Sequence, residues 1–403
     1  MNWNTRFSDA ASRIADADAV IGILKLAEQP GIISLAGGLP DPRVFRIEET
    51  QEAMAEVLRD HGPEALNYSP NPGITELREF LATRMARIER IRCSPEEILV
   101  CSGGLEGIRH AFNALTNPGD PVLFEDPTYM VALQVCRELA GIPIGVSSDD
   151  AGMIPEALDD TASRLAREGR PPRVLYVGPS FQNPTGRTWS LKRRREVLEV
   201  AERHDLAVVE DHAYGELRYE GEWLPSLKSL APERVIFVHT FSKIFGPGLR
   251  LGWVAADRNL IERLGLLKLG TDQCSSALTQ RLALAYGKAG GLDAQVERAQ
   301  DLYRRKRDAM IDALADFPCR TPWLRPDGGF FLWSEVDCDT EKLLLRSIER
   351  HGVAFVAGSC FFADPNSAVA RVSIRLSYSY VAEDRIPEAI RRLGQALRET
   401  VGS

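Results

Sequence analysis

The sequence has no CxxC pair. Its seven cysteines, Cys93, Cys101, Cys136, Cys274, Cys319, Cys338 and Cys360, are scattered along 403 residues. In a chain this long, that pattern argues for reduced thiols and against a disulfide framework or a zinc site. The six histidines show no metal-ligand spacing either. Long apolar runs are also lacking: none nears the roughly 20 consecutive residues that span a bilayer. Residues 1–10 are polar, and the apolar stretch 20–26 is broken by Gly22 and Lys25, so no secretory signal is expected. Positive charge is short as well, with 49 Lys and Arg against 57 Asp and Glu, a net charge of −8. That balance disfavours nucleic acid and anionic membranes as partners. Together these absences predict a cytoplasmic, metal-free protein that acts on small molecules.

What is present is a long alternation of apolar runs and helical segments. The runs are Ile98-Leu-Val-Cys101, Pro121-Val-Leu-Phe124, Arg173-Val-Leu-Tyr-Val177, Leu206-Ala-Val-Val-Glu210, Arg234-Val-Ile-Phe-Val238 and Leu251-Gly-Trp-Val-Ala255. Helical patterns follow several of them, one starting at Ser190, a plausible N-cap. Such alternation predicts an α/β fold, a mostly parallel sheet covered by helices on both faces. Beyond about residue 290 a long charged helix (about 292–315), Gly328-Gly-Phe-Phe-Leu-Trp333 and Val372-Ser-Ile-Arg-Leu376 suggest a smaller α+β domain. The expected division is an N-terminal arm (1–45) that contributes to the substrate pocket and small domain, a large cofactor-binding domain (46–290) and a small C-terminal domain (291–403).

In parallel α/β sheets, ligands sit beyond the carboxyl ends of the strands. The polar clusters all follow an apolar run: Ser102-Gly-Gly104, Asp126-Pro-Thr-Tyr129, the loop through Asn183-Pro-Thr-Gly186, Asp211-His-Ala-Tyr214 and Thr240-Phe-Ser-Lys243. They predict one site at one edge.

A lone Lys243 reads as a solvated surface residue. Thr240 and Ser242 flank it, however, and Arg250 follows after a Gly/Pro bend. Hydroxyls with a guanidinium suit a phosphate dianion, and an amine beside them suits a cofactor bearing an aldehyde as well. Asp211 reads as a helix cap or as a carboxylate that keeps a ring nitrogen protonated. Gly103-Gly104 and Asn183-Pro184-Thr185-Gly186 read as turns, or as a helix-start phosphate site and a ring contact. Tyr129 reads as core or as a stacking ring.

In this order, these segments resemble fold-type-I pyridoxal-phosphate enzymes of the class I/II aminotransferase family. The likeness is to the aminoadipate/kynurenine aminotransferase subgroup and the related effector domains of MocR-type regulators. It runs from about Asp18 to Arg398 and is carried by Ala36-Gly-Gly-Leu-Pro-Asp41, Tyr68-Ser-Pro-Asn-Pro-Gly73, Phe181-Gln-Asn-Pro-Thr-Gly186, Ser242-Lys243 through Arg250, and Arg375-Leu-Ser377.

The resemblance implies an aspartate-aminotransferase-like fold with pyridoxal 5′-phosphate as cofactor. Lys243 would hold it as a Schiff base and then move the substrate's proton. Asp211 would pair with the pyridinium, Asn183 and Tyr214 would contact the ring oxygen, and Tyr129 would stack. Thr240, Ser242, Arg250 and the Gly103-Gly104-Leu105 loop would hold the phosphate, with Tyr68 arriving from the other chain of a homodimer. Arg375, helped by Asn183, would take the α-carboxylate, and Gly38 and Ile21 would belong to the substrate pocket.

Three departures bear on function. The family's Gly-Ser-Gln phosphate loop reads Gly103-Gly104-Leu105 here, which removes two side-chain donors. Ile21 stands where aminoadipate enzymes carry an arginine, favouring a donor with an uncharged side chain. His212 follows Asp211 where an acidic residue is common, and is read as structural. The expected function is transfer of an amino group from such an amino acid to an α-keto acid, 2-oxoglutarate first, in amino acid metabolism or biosynthesis. The alternatives are a pyridoxal-phosphate lyase, substitution enzyme, cyclase or oxidase, and a regulator. The segment before Ala36 is too short for the regulator's helix-turn-helix domain.

Overall fold

The computed structural model describes residues 1–13 and 31–402. After a short strand β1 (Ile33–Ser34), eight strands among these residues form the central sheet: β2 (Ile98–Cys101), β3 (Pro121–Asp126), β4 (Ile142–Asp149), β5 (Gly152–Met153), β6 (Val174–Val177), β7 (Ala207–Asp211), β8 (Val235–Thr240) and β9 (Gly252–Ala255). Their spatial order is β2-β9-β8-β7-β6-β3-β4-β5. The neighbours β4, β3, β6, β7 and β8 run parallel. Strand β9 runs antiparallel to both β2 and β8.

The sheet is buried on both faces, which is why its strands read as unbroken apolar runs. Alternate residues serve opposite cores. Phe124, Tyr176, Val209 and Ile236 join Ile108 and Phe112 of the helix Gly104–Leu115. Leu123, Leu175 and Val208 join Leu158 and Leu165 of the helix Pro155–Arg167 and Val197 of the helix Leu191–Arg203. Ser190 caps the last of these, its hydroxyl accepting from the Arg193 amide at 3.2 Å.

Strands β4 and β5 were not expected. Pro143 and Gly145 make β4 a poor strand on paper, but β5 pairs only with Ser148 and Asp149, so this part of β4 forms the edge of the sheet, where both are tolerated. A Cβ at Gly145 would collide with the Asp126 carboxylate.

The second sheet is antiparallel, in the order β10 (Phe331–Glu335), β13 (Ser373–Ser377), β12 (Val356–Ala357). Strand β1 pairs instead with β11 (Val353–Ala354). Ile33, Leu35, Ala36 and Val44 share one core with Leu332, Ile374, Leu376 and Leu393. Phe181, Tyr214 and Leu217, from loops of the large sheet, belong to that core too. The two sheets therefore meet at the loops that carry the candidate residues. No helix among the described residues is long and apolar enough to cross a membrane.

Candidate active site

The parallel strands deliver their carboxyl ends to one edge: Asp126 closes β3, Asp211 closes β7 and Thr240 closes β8. Strand β2 runs the same way as β8, so Ser102 and Gly103 arrive there as well. Lys243 lies in the turn immediately after β8.

Two adjoining clefts open at this edge. The smaller, about 220 Å³, is lined by Gly104, Leu105, Asp211, Thr240, Ser242 and Arg250, among others. The larger, about 830 Å³, is walled by Ile32, Ile33, Met130, Val131, Phe331 and Val381, and contains Gly38 and Arg375. Tyr129, Asn183, Tyr214 and Lys243 line both, so Lys243 stands where the clefts join.

The smaller cleft is a cup of donors. The Thr240 hydroxyl donates to Ser242 Oγ at 2.9 Å and accepts from the Ser242 amide at 3.1 Å. Arg250 donates through Nη2 to the Ser102 carbonyl at 3.4 Å. Gly103 does not line the cup. It makes room for it: φ is +105°, and a Cβ there would sit 2.7 Å from Arg250 Nη2. Gly104 opens the helix Gly104–Leu115, whose free amides face anions favourably. Hydroxyls, guanidinium and helix amides fit a phosphate.

Asp211 is held from two sides. Its Oδ2 accepts from the Tyr176 hydroxyl at 2.6 Å and its Oδ1 from the Ala213 amide at 3.1 Å. Burial raises its pKa, opposed by those bonds, by His212 and by Lys243. Lys243 Nζ donates to the Gly38 carbonyl at 2.7 Å. Burial lowers this amine to about 8, with Asp211 opposing and Arg375 and Arg250 adding to the fall. A half-buried carboxylate, a neutralisable amine and an anion cup fit an aldehyde-bearing phosphorylated pyridine.

Arg375, on β13, is buried, and burial lowers it to about 10. Its Nη1 donates to Asn183 Oδ1 at 2.9 Å and its Nη2 to the Ala36 carbonyl. Phe331 and Phe361 flank the guanidinium, with ring centroids at 4.4 and 4.9 Å. Tyr214 packs edge-on against Phe330 and Phe331. Burial raises the Tyr129 hydroxyl to about 12.

Of the other expected residues, Tyr68 is 77% exposed and lines neither cleft of its own chain. Ile21 lies outside the described residues. His212 lines neither cleft and sits 2.9 Å from Glu89 Oε1. Burial alone would lower this imidazole, but Glu89 and Glu210 outweigh it and raise it to about 10. Sequence reading missed Tyr176, a strand residue whose register beside β7 sets its hydroxyl against Asp211. A polar tip inside Arg173-Val-Leu-Tyr-Val177 was the available signal.

A family model for class I and II aminotransferases matches residues 32–393. Aromatic-amino-acid aminotransferase 1 of Thermococcus litoralis is 38% identical over 403 residues, covering 99% of this chain and 95% of that protein. The crystal structure of a multiple substrate aminotransferase from Thermococcus profundus matches with a TM-score of 0.94 at 35% identity, covering 100% of both chains. That of α-aminoadipate aminotransferase from Thermus thermophilus, complexed with N-(5′-phosphopyridoxyl)-L-leucine, gives 0.90 at 36% identity, again over 100% of both. The chain belongs to the class I and II aminotransferase family, the pyridoxal-5′-phosphate-dependent transferases of amino groups.

Proposed function

We propose that this aminotransferase moves the amino group of an amino acid with an uncharged side chain to an α-keto acid, with 2-oxoglutarate the leading acceptor. The observation that carries the reading is the place of Lys243, between an anion cup and a cleft walled mainly by hydrocarbon. The name of one relative, an aromatic-amino-acid aminotransferase, supports an apolar donor, as does the leucine adduct held by another that is itself named for α-aminoadipate. Lyase, cyclase and oxidase chemistry is not favoured by a family of amino-group transferases.

When bound, pyridoxal 5′-phosphate supplies an aldehyde for amine exchange and a ring that withdraws electrons from the substrate's α-carbon. Thr240, Ser242, Arg250 and the amides of Gly104 and Leu105 would hold its phosphate. Gly103 gives Arg250 its room. Asp211, fixed by Tyr176 and Ala213, would pair with the ring nitrogen. Asn183 and Tyr214 would contact the ring oxygen, and Tyr129 would stack on the ring.

Arg375 binds the α-carboxylate through a charge-assisted pair, and Asn183 fixes its plane. Lys243 Nζ, lowered to about 8, has a neutral fraction near neutral pH, so it takes the α-proton and returns it. The Gly38 carbonyl aims that amine from the substrate side.

The assembly is a homodimer in which Tyr68 of the partner subunit completes the phosphate cup; the exposure of Tyr68 supports this. We assign residues 1–45 to an arm, 46–290 to a large domain and 291–403 to a small one. The enzyme works in the cytoplasm in amino acid biosynthesis, without membrane or nucleic-acid partners. Its seven free cysteines suit a reducing compartment.

Stopped-flow absorbance tests the reading. An apolar amino donor alone converts the bound cofactor to its amine form, and 2-oxoglutarate then restores the aldehyde form. Sustained product formation without an acceptor, and with no amine form, contradicts it.

A further inference from the structure

One wall of the anion cup has no polar side chain of its own. Gly103, Gly104 and Leu105 can meet an anion only through backbone amides, and amides serve an anion well only where the backbone is held still. What holds this backbone lies behind the cup.

Ser102, immediately after β2, is engaged at all three of its polar groups. Its amide donates to Glu106 Oε2 at 2.5 Å, and its hydroxyl donates to Asp272 Oδ2 at 2.5 Å. Its carbonyl accepts from Arg250. Glu106 sits in the first turn of the helix Gly104–Leu115, and Asp272 lies just beyond the helix Arg258–Leu269. Lys268, in the last turn of that second helix, joins the two carboxylates. Its Nζ donates to both oxygens of Glu106, at 3.2 and 2.9 Å, and to both of Asp272, at 2.8 Å each. The Lys268 side chain is wholly buried. It lines neither cleft.

Charge adds to the geometry. A carboxylate in that first turn suits the helix dipole but repels a dianion drawn to the same amides. Burial would raise the Glu106 carboxyl, but His110, Lys268 and the Ser102 amide outweigh it and bring it down to about 2. Glu106 is therefore an anion at neutral pH, and Lys268 is the buried cation that offsets it. We infer that Lys268 is a positioning residue for the cofactor's phosphate. By tying Glu106 to Asp272 it fixes Ser102, and through Ser102 the amides of Gly104 and Leu105, while cancelling a negative charge at the helix end that meets the anion. This inference rests on the phosphate reading of the cup.

The test titrates apoenzyme with pyridoxal 5′-phosphate and with pyridoxal, which keeps the ring and aldehyde but has no phosphate. Absorbance of the bound cofactor reports affinity, so turnover is not needed. The wild type prefers the phosphorylated form. Lys268→Met cuts that preference roughly ten- to a hundredfold, the scale of hydrogen bonds to a charged group, with pyridoxal affinity little changed. Adding Glu106→Gln to Lys268→Met removes the uncompensated carboxylate, keeps an oxygen for the Ser102 amide, and returns part of the preference. Ser102→Ala, which loses only the hydroxyl bonds, gives a smaller cut and is the variant to read if Lys268→Met does not fold. A role in folding alone would leave the preference at its wild-type value in these variants, and that result overturns the inference. An absence of preference in the wild type would instead overturn the phosphate reading of the cup, and the inference with it.

Discussion

The anion cup and the substrate cleft meet at Lys243, yet they are built differently. The cup is short-range: Thr240, Ser242, Lys243 and Arg250 lie within one stretch of chain, braced by the helix start at Gly104. Its contacts are hydroxyls, amides and one guanidinium, groups that serve any substrate equally. The cleft is long-range, drawing Ile32, Met130, Phe331, Arg375 and Arg385 from distant parts of the chain. Its walls are mainly apolar. The cup is therefore set by local turns at strand ends, while the cleft depends on how the segment from residue 31 onward and the C-terminal sheet pack against the large sheet.

Substitutions on the two sides should separate accordingly. Lys243→Ala, at the junction, removes the proposed anchor of the cofactor and the proposed proton carrier, and turnover should fall by roughly 10³-fold or more. With the Lys243 amine as the proposed base, the proton-transfer step in the wild type should rise with pH toward a plateau, since burial lowers that amine to about 8 in the cofactor-free protein. A rate that falls through that range contradicts Lys243 as the base. The same shift has a stability consequence in the apoenzyme. The unfolded chain binds this proton up to the ordinary lysine pKa near 10.5 and the folded one only to about 8. Burying the charged amine thus costs stability below about 8, and the cost is relieved as pH rises between the two values. Thermal unfolding of apoenzyme and Lys243→Met across that window should converge toward high pH.

On the cleft side, Arg375→Ala should raise KM for the amino acid roughly ten- to a hundredfold, with a much smaller change in cofactor affinity. Steady-state kinetics alongside cofactor titration separates the two effects. On the cup side the reverse holds. Gly103→Ala forces a side chain into φ +105° and against Arg250, so cofactor affinity should weaken about tenfold, while KM for the amino acid changes little. The smallest expected effect is that of Tyr176→Phe. Losing one hydrogen bond to Asp211 should lower kcat several-fold with cofactor still bound. An equal loss from Tyr129→Phe, whose ring stacks in the proposed site and whose hydroxyl makes no described bond to Asp211, would contradict a specific role for Tyr176.

The same contrast decides what was legible in the sequence. The cup was legible because its residues cluster in short segments that follow apolar runs, and Ser190 announced its helix by its capping chemistry. Strand β4 was not, because its Pro143 and Gly145 answer to an edge position and to the Asp126 side chain, both set by tertiary packing. Tyr176 was invisible as a partner of Asp211 because that pairing depends on β6 lying beside β7. Arg375 was found only through the motif resemblance; its contacts with Asn183 and Ala36 span most of the chain.

The most direct test is chemical. Borohydride reduction of the holoenzyme, followed by peptide mass mapping, should find the phosphopyridoxyl group on Lys243 and on no other lysine. A label on a different lysine, or none, would contradict the placement of Lys243 at the junction of cup and cleft.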